Sequence, residues 1–279
     1  MKQWLFEQNL TGVSKAFGVA LLSGFIAIVT VSCSNDKELL VTEIGVNPVA
    51  SPAANPSTAQ EFYAQGQYQH IQGDTQGAIA AYGKAISLNS EFVEAYNGRG
   101  LVKFDTGDRQ GAIADYNEAI RISPDNAQAY NNRGNARAAQ GDLKGAINDY
   151  DRAISLDSDY AEAYNNRGNA RAAEGDREQA IADYTEAIRI KSNYAVAYNN
   201  RGNARAAQGD KEGALSDYDE AIRLNPNFGA AYNNRGNARV QLKDKDGGLA
   251  DLQRAAEIFQ EQNNQQLYNQ VMENVKEIQ

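Results

Sequence analysis

Cysteine and histidine are nearly missing: Cys33 and His70 are the only ones in 279 residues. No disulfide can close within one chain, and no Cys/His metal cluster can be assembled. Trp4 is the single tryptophan. Basic side chains are outnumbered, 27 Lys and Arg against 36 Asp and Glu, for a formal charge of −9. That sign disfavours nucleic acid and anionic lipid headgroups as partners. No block of like charges occurs, so the acidity reads as a solvated surface. No nucleophile–base motif, paired acid site or phosphate loop is present. The composition therefore points away from an enzyme, a cofactor and a small-molecule substrate.

What is present begins with an address. Ala16 to Ser32 is an uncharged run of 17 residues behind Lys2, Glu7 and Lys15. A run of that length suits a signal h-region better than a spanning helix, which needs about 20 apolar residues. It ends Thr30-Val31-Ser32-Cys33. This resembles the lipobox of bacterial lipoprotein precursors, with Thr30 where that family usually has Leu. The resemblance implies export, with residues 1–33 a lipoprotein-type signal ending at the lipobox Cys, cleavage ahead of Cys33 so that it becomes the new N-terminus, and diacylation of Cys33. Two or more acyl chains, at about 0.8 kcal/mol per buried CH₂, anchor a protein stably. An uncleaved signal anchor and ordinary secretory cleavage are the alternatives. Ser34 is not Asp, so the resemblance carries no inner-membrane retention cue and leans toward the outer membrane. Residues 34–58, with Pro48, Pro52 and Pro56 among Ala, Ser and Asn, read as a flexible tether.

From Ala59 to Gln262 the chain aligns with itself at a period of 34 residues, in blocks 59–92, 93–126, 127–160, 161–194, 195–228 and 229–262. Position 4 of each block is a ring (Phe62, Tyr96, Tyr130, Tyr164, Tyr198, Tyr232) and position 8 is Gly. Position 20 is small, position 24 is Tyr (Leu252 in the last block), and position 27 is Ala. Glycine costs about 1 kcal/mol inside a helix, so its recurrence implies close helix approach. A Gly-Asp pair at positions 15 and 16 marks a turn in five blocks, Gly as helix stop and Asp as helix start. Lys243-Asp244 replaces it in the sixth. The period and these residues resemble the tetratricopeptide repeat family. The resemblance implies an all-α, right-handed superhelical solenoid of six helix pairs, helix A and helix B. Residues 263–279 carry Leu267, Val271, Val275 and Ile278 at helical spacing and read as a capping helix.

Two residue sets stand out against that frame. Position 7, usually apolar in the family, is Arg99, Arg133, Arg167, Arg201 and Arg235; position 23 is Asp115, Asp149, Asp183, Asp217 and Asp251. The first block has Gln65 and Ala81 instead, so both charges vanish together. That co-occurrence predicts a structural Arg–carboxylate pair within each block. The second set is asparagine, a poor helix former. Position 5 is Asn97, Asn131, Asn165, Asn199 and Asn233; position 9 is Asn135, Asn169, Asn203 and Asn237; Asn132, Asn166, Asn200 and Asn234 occupy position 6. Positions 5 and 9 share one helix face, and in the family they line the concave groove where partner peptides lie. The resemblance implies a ladder of amides that holds an extended peptide by its backbone. The alternative is that the amides bond one another between blocks. The carboxylate clamp of chaperone-tail-binding members lacks its Lys and Arg here. In the first two blocks Tyr63, Gln67, His70 and Leu101 break the ladder, and His70 reads as an ordinary groove or surface histidine.

The expected function is a membrane-tethered scaffold that binds a protein or peptide, through a lipid or signal anchor, in assembly of an envelope or membrane complex. By architecture it resembles the pilotin lipoproteins of type IV pili and the envelope lipoproteins that scaffold peptidoglycan hydrolases. A self-associating repeat protein without a peptide ligand is the alternative.

Overall fold

The computed structural model describes residues 17–22, 25–30 and 55–279. The described residues fall into two compact units, 55–124 and 17–22, 25–30 with 125–279. Phe17–Leu22 (β1) and Phe25–Thr30 (β2) pair antiparallel, with Phe17 opposite Thr30 and Leu22 opposite Phe25. Both strands fall within the run read above as a signal segment. Val31, Ser32 and Cys33 of the lipobox-like stretch and tether residues 34–54 lie outside the described residues.

From Ala59 onward the chain is helices and short turns. The first unit holds α1 (Ala59–Ile71), α2 (Thr75–Leu88), α3 (Val93–Asp105) and α4 (Arg109–Ile122). The second holds α5 (Ala127–Ala139), α6 (Leu143–Leu156), α7 (Ala161–Glu174), α8 (Arg177–Ile190), α9 (Ala195–Gln208), α10 (Lys211–Leu224), α11 (Gly229–Gln241), α12 (Lys245–Glu261) and α13 (Gln265–Ile278). The helices of each unit form a repeat solenoid, with odd-numbered helices α1 to α11 as helix A and even-numbered α2 to α12 as helix B.

The local chemistry of each pair follows from its sequence. Asp74, Asp108, Asp142, Asp176, Asp210 and Asp244 cap the helices B, each carboxylate accepting from the backbone N–H three residues on. The residue before each Asp reverses the chain with positive φ, +82° to +93° at the five glycines and 69° at Lys243. Packing rests on small-against-large contact. The tyrosines at position 24 are at most 2% exposed, and the alanines at positions 20 and 27 of the same helix are fully buried. A β-carbon on Gly100, Gly134, Gly168 or Gly202 would lie 2.6–2.7 Å from the tyrosine ring of its own block. Burying such a ring is worth about 3 kcal/mol, and glycine is what admits it. Helix α13 closes the second unit with Leu267, Val271 and Val275 against Leu252, Ala255, Ala256 and Phe259.

Within each unit successive helices A touch one another (α1 with α3; α5 with α7, α7 with α9, α9 with α11), while successive helices B make less contact. Helices A therefore line the tighter, concave side of each unit.

Candidate functional site

An ion-pair seam holds each pair of helices from the second block on. Arg99, Arg133, Arg167, Arg201 and Arg235 grip Asp115, Asp149, Asp183, Asp217 and Asp251 of the same block. Each guanidinium is bidentate, with Nη2 to one carboxylate oxygen at 2.6–2.7 Å and Nε to the other at 2.8–3.1 Å. A second cation meets the same carboxylate, Lys103, Arg137, Arg171, Arg205 or Arg239, at 2.8–3.0 Å. The aspartates are buried, so two bases offset the desolvation of one acid. The same arginine also reaches the preceding block. Arg167 meets Asp151 at 2.6 Å, Arg235 meets Asp219 at 2.7 Å, and Arg201 donates to Thr185 Oγ1 at 3.2 Å. Its flat face covers the ring at position 4, 5.3–5.6 Å from the centroid. Pairing within the block thus extends into a link between blocks. The position-11 cation escaped sequence reasoning, although Gln69 replaces it in the block that also lacks the other two charges.

The asparagines separate into two systems. Asn97, Asn131, Asn165, Asn199 and Asn233 are 1–8% exposed. In the second unit, positions 5 and 6 form one directed chain of amides. Asn233 donates to Asn234 (3.3 Å), Asn234 to Asn199 (3.0 Å), and Asn199 to Asn200 (3.4 Å). Asn200 then donates to Asn165 (3.1 Å), Asn165 to Asn166 (3.4 Å), and Asn166 to Asn131 (3.1 Å). Every link runs Nδ2 to Oδ1 in the same sense, so the dipoles reinforce one another. The chain stops at α13, which brings Leu267 and Tyr268 where a further block would bring amides; Asn233 Oδ1 is left buried without a partner. Of the residues expected to bind a partner, Asn131, Asn165 and Asn199 thus accept from the amide of the next block, whereas Asn233 bonds only Asn234 of its own block. Asn97 is buried in the first unit, and its Oδ1 has no hydrogen-bond partner.

Position 9 is different. Asn135, Asn169, Asn203 and Asn237 are half-buried. The hydroxyls of Tyr150, Tyr184 and Tyr218 donate to Oδ1 of Asn135, Asn169 and Asn203, each at 2.8 Å. Burial, aided by the adjoining aspartate, pushes these phenols far above their usual range, so they remain donors. Asn237 has Leu252 in place of the tyrosine. Ala138, Ala172 and Ala206, three residues on along each helix A, pack against the clusters of Tyr150, Tyr184 and Tyr218.

The first unit is built otherwise. Gln67 Nε2 donates to Tyr63 at 2.9 Å, and Tyr63 stacks tilted on Tyr82 and Phe92 with centroids 5.7 and 5.0 Å away. Tyr82 is left with a buried hydroxyl that has no partner. His70, 8% exposed, meets Asp105 at 3.2 Å through Nε2, which makes it a buried, paired histidine.

Among the described residues no helix is long and apolar enough to cross a membrane, and no group of His, Cys, Asp and Glu could hold a metal ion. A family model described as TPR repeat matches residues 59–107, 100–141, 134–175 and 168–209, and one described as tetratricopeptide repeat matches 195–228. No curated protein matches. Among solved structures, MamA is 29% identical, with a TM-score of 0.52 over 57% of this chain and 93% of that one. YrrB, a TPR protein with an unusual peptide-binding site, is 21% identical, with a TM-score of 0.52 over 70% of this chain and 100% of that one. Pseudomonas aeruginosa pilF is 15% identical, with a TM-score of 0.66 over 77% of this chain and 97% of that one. The last two likenesses are of fold.

Proposed function

This chain belongs to the tetratricopeptide repeat family, whose members are protein-interaction scaffolds rather than enzymes, and we propose that it holds an extended segment of a partner protein against the concave face of residues 127–240. One observation carries the reading: Asn135, Asn169 and Asn203 repeat at 34-residue intervals with their amino groups unengaged, each fixed by a tyrosine hydroxyl. Helix-disfavoured side chains held in a fixed rotamer beside alanines make a preorganised row of donors. The neighbouring charges are consumed by the fold, since Arg137, Arg171 and Arg205 are turned to the buried aspartates. The row thus suits a main chain rather than a charged tail. Asn237 continues it with an amide that no tyrosine engages.

The same proposal places the scaffold on a membrane. Diacylation at Cys33, with residues 34–58 as tether, puts the repeats about 25–30 Å r.m.s. from the anchor point. Export, an outer-membrane location and a part in assembling an envelope or membrane complex are the setting that the lipobox-like sequence supports.

Pull-down from solubilised membranes tests the binding face. The baits are the native chain and a variant carrying Ala139→Arg, Ala173→Arg and Ala207→Arg, which fills the groove without touching the amides. Proteins captured by the native bait and lost from the variant support the reading. Equal capture by both baits contradicts it.

A further inference from the structure

The third, fourth and fifth blocks share the run AYNNRGNARAA, yet their position-9 amides are not equivalent. Oδ1 of Asn135 and of Asn203 accepts one hydrogen bond, from Tyr150 and Tyr218, and keeps a lone pair. Oδ1 of Asn169 accepts two, from the Tyr184 hydroxyl at 2.8 Å and from Asn200 Nδ2 at 3.1 Å. An amide oxygen has two lone pairs, so this one is full. Turning the Asn169 amide over would set its Nδ2 against two donors, whereas the same turn at Asn135 or Asn203 gives up one bond. Asn169 Nδ2 has no partner and is not among the side-chain atoms buried without one, so it reaches solvent.

The second donor comes from the buried chain of amides. Asn200 is 7% exposed. It accepts from Asn199 at 3.4 Å and gives its other hydrogen to Asn165 at 3.1 Å. Its oxygen and both hydrogens are engaged, which fixes its own orientation. Its counterparts Asn166 and Asn234 donate only to Asn131 and Asn199. Among the described residues, the buried chain of amides therefore meets a position-9 amide at one place. That place is the joint where Arg201 finds the Thr185 hydroxyl at 3.2 Å, while Arg167 and Arg235 find Asp151 and Asp219 at 2.6 and 2.7 Å.

An amide held on both lone pairs has no orientation left to choose when a ligand arrives. It offers N–H alone. A ligand oxygen opposite it gains a hydrogen bond, and a ligand N–H opposite it meets another donor. Asn135 and Asn203 can serve either group. Resting on the peptide-binding reading above, we infer that Asn169 sets the register of the bound segment by taking a main-chain carbonyl oxygen, and that Asn200 is the positioning residue that holds it to that role.

Two measurements on the detergent-solubilised full chain test this. In NMR spectra of isotopically labelled chain, the side-chain amide signals of Asn169 are identified by their loss in Asn169→Asp. Asn200→Ala is expected to shift them, and Asn234→Ala is expected to leave them in place. Each alanine change cuts the buried chain of amides, so a merely structural effect would follow both. In the pull-down, the probe is the protein captured by the native bait and lost from the arginine-filled one. Asn169→Asp still accepts from Tyr184 and Asn200 but cannot donate, and should lower capture by about tenfold or more. Asn200→Ala should lower it by about threefold or more, Asn234→Ala should leave it near the native level, and Asn135→Asp should lower it less than Asn169→Asp. Full capture by Asn169→Asp, equal loss from Asn135→Asp, equal loss from Asn200→Ala and Asn234→Ala, or Asn169 signals indifferent to Asn200→Ala overturns the inference and leaves the peptide-binding reading standing. If no protein is lost between the native and arginine-filled baits, that reading falls and the inference falls with it.

Discussion

Changing Asp183 to Ala removes the anchor of one block. The carboxylate is 3% exposed and accepts from Arg167 Nε at 3.1 Å, Arg167 Nη2 at 2.6 Å and Arg171 Nη1 at 2.8 Å. Its loss strands two guanidinium groups whose side chains are 14% and 20% exposed. Breaking a buried pair from one side costs about 3–5 kcal/mol. Arg167 keeps Asp151 at 2.6 Å, and both arginines retain a path to water, so the expected cost is near the lower end, about 3 kcal/mol. Adding Arg167→Leu removes one stranded cation. The double variant should recover at least about 1 kcal/mol relative to the sum of the single changes. Urea unfolding followed by circular dichroism measures the differences at constant m. Repeat arrays unfold block by block, so amide exchange in α7 and α8 should register the loss more strongly than exchange in α12. A cost below about 1 kcal/mol, the range of exposed pairs, together with strict additivity, would refute the reasoning.

Other consequences are smaller in scale. Tyr218→Phe deletes a hydroxyl bonded to Asn203 and should cost about 1 kcal/mol, whereas Tyr82→Phe deletes a buried hydroxyl without a partner and should be neutral or stabilising by a similar amount; thermal unfolding of the two variants compares them. The backbone N–H groups of Ser57 and Thr58 hold the Glu61 carboxyl down to about 2. Its folded value is thus depressed, so its stabilising contribution to the start of α1 is present above the ordinary carboxylate range and fades as pH falls toward 2. An NMR titration of Glu61 that instead gave an ordinary glutamate value would remove the capping box from the account. Cys33→Ser should move the protein from the membrane pellet to the soluble exported fraction; persistence in the pellet would argue for an uncleaved anchor.

The fold was legible because its rules are local and repeat. Gly141-Asp142 shows a helix stop and a helix start in adjacent letters, and the paired absence of Gln65 and Ala81 from the charged pattern identifies Arg167 with Asp183 before any distance is known. The depth of the asparagines was not legible. Spacing of four puts Asn165 and Asn169 on one face, yet the next helix A approaches closely enough to bury Asn165 while leaving Asn169 half-covered. How each position-9 amide is oriented depends on hydroxyls such as Tyr184, whose ring the sequence assigns to the core but whose tip it cannot aim. The second cation on each carboxylate, Arg171 for Asp183, carries the same absence signal at Gln69 and was discernible in principle.

The central claim is that a partner chain lies along the concave face beside the asparagine row. Site-specific photo-crosslinking tests it most directly, with a benzophenone amino acid placed in cells at Ala173, beside Asn169, or at Thr185, exposed on helix B. The account predicts that Ala173 captures a discrete partner, that Thr185 does not, and that Asn135→Asp, Asn169→Asp and Asn203→Asp suppress the adduct. Capture from Thr185 with none from Ala173 would contradict it and move the interaction to the opposite face.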